Sequence, residues 1–226
     1  MAFRIKFLHR DNRYLILLLS LMATVTLPAF SLLIAGDDIS DFIFATCFTG
    51  IVLAGFIWTA SESKLQRIIG TPLGLLALVG LWIKTILTDD TTLEIADTVL
   101  SLCFFNFLAF TLLRNIFRSK EVNLGIIFGS VAGYVTIGIL GGLWMNLVDL
   151  LQPYSFHPEM AKLNSYDYFY FSFVTMTTVG FGDILPQSPP AKSVIIFLSL
   201  IGQLYLTILV AVLVGQFLAK RQDQSE

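Results

Sequence analysis

Six apolar runs, at residues 14–35, 42–60, 69–87, 95–113, 124–151 and 194–219, constrain this chain more than any other feature. A helix needs about 20 apolar residues to cross roughly 30 Å of hydrocarbon, and each run is about that long or longer. With 56% hydrophobic and 13% charged residues and a mean hydropathy of +0.80, the chain is far from the balance of a soluble domain. The expectation is an all-α integral membrane protein with six transmembrane helices.

The net charge of −2 says little, but the placement of the charges orients the runs. Arg4, Lys6, Arg10 and Arg13 precede the first; Lys64 and Arg67 separate the second from the third; Arg114, Arg118 and Lys120 follow the fourth; Lys220 and Arg221 follow the sixth. The opposite loops are mostly acidic, with Asp37, Asp38 and Asp41 in one and Asp89, Asp90 and Glu94 in another, against Lys84, Lys162 and Lys192. The positive-inside rule places the basic loops and both termini in the cytoplasm of a multi-pass protein of the cell membrane. The first run exceeds the 7–15 residues usual for a signal-peptide core, so it is expected to remain as a helix.

Cys47 and Cys103 fall inside runs, with neither disulfide partners nor metal-ligand spacing, and are expected to be small packing residues. His9 and His157 are isolated. No phosphate loop, dinucleotide motif or cluster of His and carboxylates occurs in a loop. Neither an enzyme activity nor a cofactor nor a nucleic-acid partner is expected.

A polar break at 119–123 divides a tail (1–13) and a four-helix region (14–118) from a second region (119–219) and a tail (220–226). The closing AKRQDQSE is expected to form no ligand-binding domain. Gly125, Gly129 and Gly133 recur every four residues in the fifth run, followed by Gly138 and Gly142, which predicts a small-residue packing seam on one side of a helix. After a loop at 152–164 with Pro153 and Pro158 comes SYDYFYFSFVTMT at 165–177, too short to cross a bilayer and suited to a re-entrant helix. Ser165 is the expected N-cap, with Asp167 in the first turn.

The stretch TMTTVGFGDILP, residues 175–186, follows directly. Irregular backbone at membrane depth must be buried in protein or line a water-filled path, because unpaired carbonyls in lipid cost several kcal/mol each. Gly180 and Gly182 accept positive φ cheaply, and their alternation with Val179 and Phe181 lets successive carbonyls point the same way. One strand cannot surround an ion. Four copies around an axis can replace the hydration shell of K⁺, so the single loop predicts a homotetramer of this chain with three further copies of itself, surrounded by membrane lipids.

TMTTVGFGD resembles the selectivity-filter signature of tetrameric potassium channels, and it sits where that family has it, between a short aromatic helix and a final transmembrane helix. The resemblance extends over roughly 123–220. It implies that Thr178 supplies the innermost K⁺ site with its hydroxyl and carbonyl, that Val179, Gly180 and Phe181 supply carbonyl rings, that Gly182 permits the outer turn, and that Asp183 stands behind the filter. Phe181 replaces the usual Tyr, which removes an anchoring hydroxyl and predicts a filter prone to inactivation. Tyr170 and Phe171 stand where many voltage-gated relatives carry paired Trp, and Tyr170 is positioned to hydrogen-bond Asp183. Gly202, 19 residues beyond Asp183, falls where many members carry a hinge glycine, or serves as a packing glycine. Gln203, Leu206, Val210 and Val214 share one helical face that should line a cavity below the filter. The Pro-Val-Pro bend of voltage-gated relatives is absent from LYLTILVAV.

The fourth run carries only Arg114 and Arg118, at its inner end, instead of a ladder of basic residues at every third position. Positive-inside anchoring is the simpler account of both, so weak or absent voltage dependence is expected. Taken together the sequence implies passive K⁺ conduction. The alternatives are a K⁺-translocating subunit of a transporter complex, which usually has several divergent pore loops per chain, and a nonconducting partner subunit of another channel.

Overall fold

The computed structural model describes residues 10–35, 37–59, 64–87, 90–119, 123–156 and 163–223, and among these all regular structure is helical. Seven helices follow in order: α1 (Arg10–Ala35), α2 (Asp37–Thr59), α3 (Lys64–Leu87), α4 (Thr91–Arg118), α5 (Leu124–Leu151), α6 (Ser165–Met176) and α7 (Pro189–Asp223). His9, Glu62, Asp89, Lys120, His157 and Lys162 lie outside the described residues.

The apolar runs fall short of the helices at every N-terminal end but that of α5, and at the C-terminal ends of α4 and α7. Asp37, Asp38 and Asp41 belong to α2 rather than to an acidic loop, and Asp90 caps α4 by accepting from the Thr92 N–H at 2.8 Å, with Glu94 in its first turn. At α4 the carboxylates of Asp90 and Glu94 complement the positive end of the helix. Lys64, Arg67 and Lys84 are likewise in α3, and Lys192, Lys220 and Arg221 in α7. The Pro189–Pro190 pair opens α7, where a missing N–H costs no hydrogen bond.

Among the described residues four stretches are long and apolar enough to cross a membrane: Ile68–Ile86, Thr91–Arg118, Leu124–Leu151 and Pro189–Val212. Helices α1 and α2 contribute the shorter apolar stretches Arg13–Pro28 and Phe42–Gly55. The chain is thus an apolar, all-helical membrane protein over its described residues.

Helix α5 is the hub, packing against α1, α4, α6 and α7. One core joins α1 to α5 around Leu17, Phe48, Phe104, Phe105 and Leu112 and reaches Phe169 of α6. Phe48 meets Phe105 edge-on at 5.4 Å, and Phe44 of α2 stacks on Phe169 at 5.6 Å. A second core gathers Ile137, Met145, Phe171, Met176 and Leu198 from α5, α6 and α7, with Phe156 from the segment after α5. Two-thirds of the apolar window of α5 (67%) is buried, against 17% for α7, so α7 is the face left for lipid or for another chain. Cys47 is half-buried, but Cys103 is exposed on α4 instead of packed, because the core side of that helix is taken by Phe104 and Phe105.

The glycines of α5 do not form one seam. A Cβ on Gly129 would strike the Tyr14 ring of α1, one on Gly133 the Tyr205 hydroxyl of α7, and those on Gly138 and Gly142 the Phe173 and Phe169 rings of α6. The five-residue step from Gly133 to Gly138 turns the helix by about 140°, which aims the two pairs at different neighbours. These four glycines are sockets for aromatic side chains, while Gly141 faces Ser172 and Leu198. Substitution of Gly142 by Ala places a Cβ 3.1 Å from Cα of Phe169. Overpacking of this kind costs about 1–3 kcal/mol, so Gly142→Ala lowers the thermal unfolding midpoint in detergent, whereas Gly50→Ala, which meets no atom within 4 Å, leaves it unchanged.

Candidate functional site

Helix α6 is held by its own sequence at both ends. Asn164, not Ser165, is the N-cap: its side chain accepts from the Asp167 N–H at 3.0 Å, while Asp167 accepts from the Asn164 N–H at 2.9 Å. This reciprocal box satisfies two orphan donors at once, which a Ser165 cap without a carboxylate at the matching position would not do. The helix body is pinned to α5 by the Ser172 hydroxyl, which donates to the Gly138 carbonyl at 2.6 Å, and by the rings seated on Gly138 and Gly142.

At its C-terminus α6 runs into the 177–183 loop, and the hydrogen bonds there are one-sided. Thr177 N–H donates to the Phe173 carbonyl at 2.9 Å and Thr178 N–H to the Thr175 carbonyl at 3.0 Å. Val179 and Gly180 N–H groups both reach the Val174 carbonyl, at 3.0 and 3.2 Å. The amides of the loop therefore turn back toward α6. Among the described residues the carbonyls of 178–182 accept no hydrogen bond.

The backbone alternates in hand along the same stretch. Thr178, Gly180 and Gly182 have φ of 62°, 57° and 80°, whereas Val179 and Phe181 are not in the positive-φ region. Alternation of left- and right-handed residues swings successive carbonyls to a common side, as neither a helix nor a strand does. Glycine takes this conformation freely, but a β-branched Thr is an outlier there, at a cost of about 1–3 kcal/mol. Sequence reasoning named Gly180 and Gly182 for this role and missed Thr178, since composition does not favour positive φ at threonine. Val179 and Phe181 are 53% and 69% exposed, so both carbonyl and side-chain faces of the loop are open in the single chain. The C-terminal end of α6, with its partial negative charge, lies beside them, which favours a cation.

Beyond the loop, Tyr170 Oη donates to Asp183 Oδ2 at 2.6 Å. That hydroxyl beside Asp183 holds its carboxyl below the usual carboxylate range. Ile184 is buried, and the Gln187 N–H donates to the Ser155 carbonyl at 2.7 Å. Ser188 Oγ bonds Ser155 Oγ at 2.9 Å, and Asp149 accepts from Ser155 N–H and from the Tyr168 hydroxyl at 2.8 and 2.6 Å. This clasp ties the loop's exit to the end of α5, and no periodicity or motif in the sequence signals it.

Below the loop, Gly202 packs against Met176, the last residue of α6, and a Cβ there would come 2.8 Å from the Met176 carbonyl oxygen. Helix α7 runs unbroken through this point. Gln203, Leu206, Val210 and Val214 are all exposed, on the side of α7 away from Tyr205, whose hydroxyl donates to the Ser130 carbonyl of α5 at 2.6 Å. Arg114 is half-buried and Arg118 exposed at the end of α4, and neither enters an ion pair among the described residues. The structure thus brings 170 and 178–183 together at one end of α6 and leaves Arg114 and Arg118 on a separate helix.

Residues 125–219 match a family model described as an ion channel, a span that takes in α5, α6, the loop and most of α7. No curated protein and no solved structure matches the chain. The match makes this part of the chain similar to ion channels.

The bond to Tyr170 makes a direct prediction. In a titration followed by NMR of the side-chain carbonyl carbon, Asp183 shows a midpoint below the ordinary value of about 3.9, and Tyr170→Phe moves it up. Because the folded value is the lower one, the stability it lends is complete above that ordinary value and disappears as pH falls through the depressed midpoint.

Proposed function

We propose that the chain is the subunit of a potassium-selective channel, in which four copies meet around an axis and the 178–182 carbonyls form stacked rings for dehydrated K⁺. The observation that carries this reading is the alternating hand of Thr178, Gly180 and Gly182 together with carbonyls that find no donor among the described residues. In a membrane such carbonyls need a polar partner, and a cation on a fourfold axis is one. K⁺ is the transported substrate: Thr178 would hold the innermost site, Val179, Gly180 and Phe181 the following rings, and Gly182 the outer turn, with Asp183 and Tyr170 bracing the mouth.

In this reading α1 to α5 and α7 are the six spans of a multi-pass protein of the cell membrane with cytoplasmic termini. The four-helix region 14–118 surrounds a pore region 119–219, and Gln203, Leu206, Val210 and Val214 line the cavity. Gly202 supports the base of the filter through Met176 and is a candidate hinge. The exposed Phe181 and the exposed face of α7 are surfaces that further copies would cover.

Purified chain reconstituted alone into liposomes is expected to pass K⁺ in preference to Na⁺ and to be blocked by Ba²⁺; a silent preparation overturns the reading. Gly180→Ala places a Cβ in a left-handed conformation at about 1–2 kcal/mol per chain, four times over in a tetramer, and is expected to abolish flux while leaving the helical content intact.

Voltage dependence is expected to be weak. A charge that crosses 100 mV is worth about 2.3 kcal/mol, and Arg114 and Arg118 at the end of α4 are placed to anchor rather than to cross. Conductance–voltage curves are therefore expected to be shallow and unchanged by Arg114→Gln with Arg118→Gln; steep curves that flatten in the double variant would contradict this.

A further inference from the structure

Helix α7 is anchored along its first half and nearly free along its second. Ala191 and Leu198 are buried in the core shared with α5 and α6, and Gly202 is buried against Met176. Beyond Gly202 the one buried residue of α7 among the described side chains is Tyr205, and Leu206, Thr207, Ile208, Val210 and Val214 are exposed. Tyr205 is therefore the last tether of the helix to its own chain.

That tether is more specific than burial requires. The Tyr205 hydroxyl donates to the Ser130 carbonyl of α5 at 2.6 Å. Among the described residues it is the one hydrogen bond from a side chain of α7 to another helix, since the hydroxyls of Ser193, Ser199 and Thr207 all bond within α7. Gly133 leaves room for it, because a Cβ there would come 2.6 Å from the Tyr205 hydroxyl oxygen. The Tyr205 ring lies 5.7 Å from that of Tyr134, whose own hydroxyl donates to the Met176 carbonyl at 3.4 Å. The anchor is itself fixed, as Tyr14 of α1 seats on Gly129, the residue before Ser130.

The turn from Gly202 to Thr207 is a weak point of the helix. Glycine is the poorest helix former after proline, and the Thr207 hydroxyl donates back to the Gln203 carbonyl at 2.8 Å, a bond that loosens and often bends a helix. A bend at Gly202 swings everything beyond it and carries the Tyr205 hydroxyl off Ser130. We propose that Tyr205 is a latch, a positioning residue whose bond to Ser130 holds the second half of α7 in line with the first. That half carries Gln203, Leu206, Val210 and Val214, so in the channel the latch sets the width of the cavity; this consequence rests on the channel reading, whereas the latch is a property of one chain. Tyr205→Phe removes the bond cleanly, because the ring is kept and the Ser130 carbonyl retains its helical donor on the next turn of α5.

Pulsed EPR distances in lipid nanodiscs test the latch, with Cys47→Ser and Cys103→Ser in every chain and labelled chain diluted in unlabelled chain, so that only distances within one chain are read. One label pair, Leu124→Cys with Val214→Cys, spans α5 and α7 beyond Gly202; a second, Trp144→Cys with Ile196→Cys, spans them before it, and all four side chains are exposed. In Tyr205→Phe the second pair keeps its distance, while the first gains a shifted population about fivefold larger than in the parent, as the loss of one hydrogen bond predicts. Gly133→Ala, which pushes the hydroxyl away, gives the same shift. The two changes do not add when combined, because the ring carbon beneath the hydroxyl stands 3.5 Å from that Cβ, an ordinary contact. An unshifted first pair in Tyr205→Phe, equal shifts in both pairs, or additive effects overturn the proposal. If Gly133→Ala does not fold, Tyr205→Phe decides it alone. K⁺ flux followed on the same preparations separates the two readings: a silent parent overturns the channel, and the distances still decide the latch.

Discussion

A backbone carbonyl in hydrocarbon needs a donor or a cation, and the rest of this structure is arranged around one stretch that lacks donors. Thr178, Val179 and Gly180 send their amides back to the C-terminal carbonyls of α6, and the carbonyls of 178–182 are left unpaired among the described residues. That arrangement is tenable in a membrane only if something polar faces it. Helix α6 therefore has to be held firmly, and its neighbours contribute to holding it. Asn164 and Asp167 cap one end, the glycines of α5 receive its rings along the body, and Met176 seats the other end on Gly202 of α7.

The strain at Thr178 follows from the same constraint. A threonine at φ 62° is kept there because the amides on either side are committed to α6, so the chain has no cheaper route out of the helix. Phe181 shows the complementary side of the geometry. Its ring is 69% exposed, and in the proposed tetramer it meets a neighbouring copy by packing alone, without the hydroxyl that the related signature usually provides.

The two ends of α4 differ in how their charges are handled. Arg114 and Arg118 sit at the helix end in half-buried or open positions, as charges at a membrane boundary usually do. Asp97 is enclosed in the same helix, and Gly80 makes room for it.

Much of the architecture was legible in the sequence because hydropathy is local. The six apolar runs located the long helices, the brevity of 165–177 marked α6, and the alternation at 179–182 marked the loop that follows it. Element ends were less legible, since Asp37, Asp38, Asp41 and Glu94 read as polar loop although they belong to α2 and α4, and in the first turn of α4 the helix dipole rewards Glu94. The N-cap moved from Ser165 to Asn164 for a related reason: the box with Asp167 is a relation between two residues, and composition does not show which residue closes it.

By itself the sequence determined the apolar helices, the short aromatic helix and the positions at which glycine makes positive φ inexpensive, because each depends on residues near one another in the chain. Only the tertiary structure decided which neighbour each glycine of α5 receives, that Ser155 and Ser188 clasp the loop's exit, and that Asp97 is enclosed against Gly80 with Lys84 already engaged by Glu94. Those outcomes depend on the rotation of one helix against another, and hydropathy carries no information about that angle.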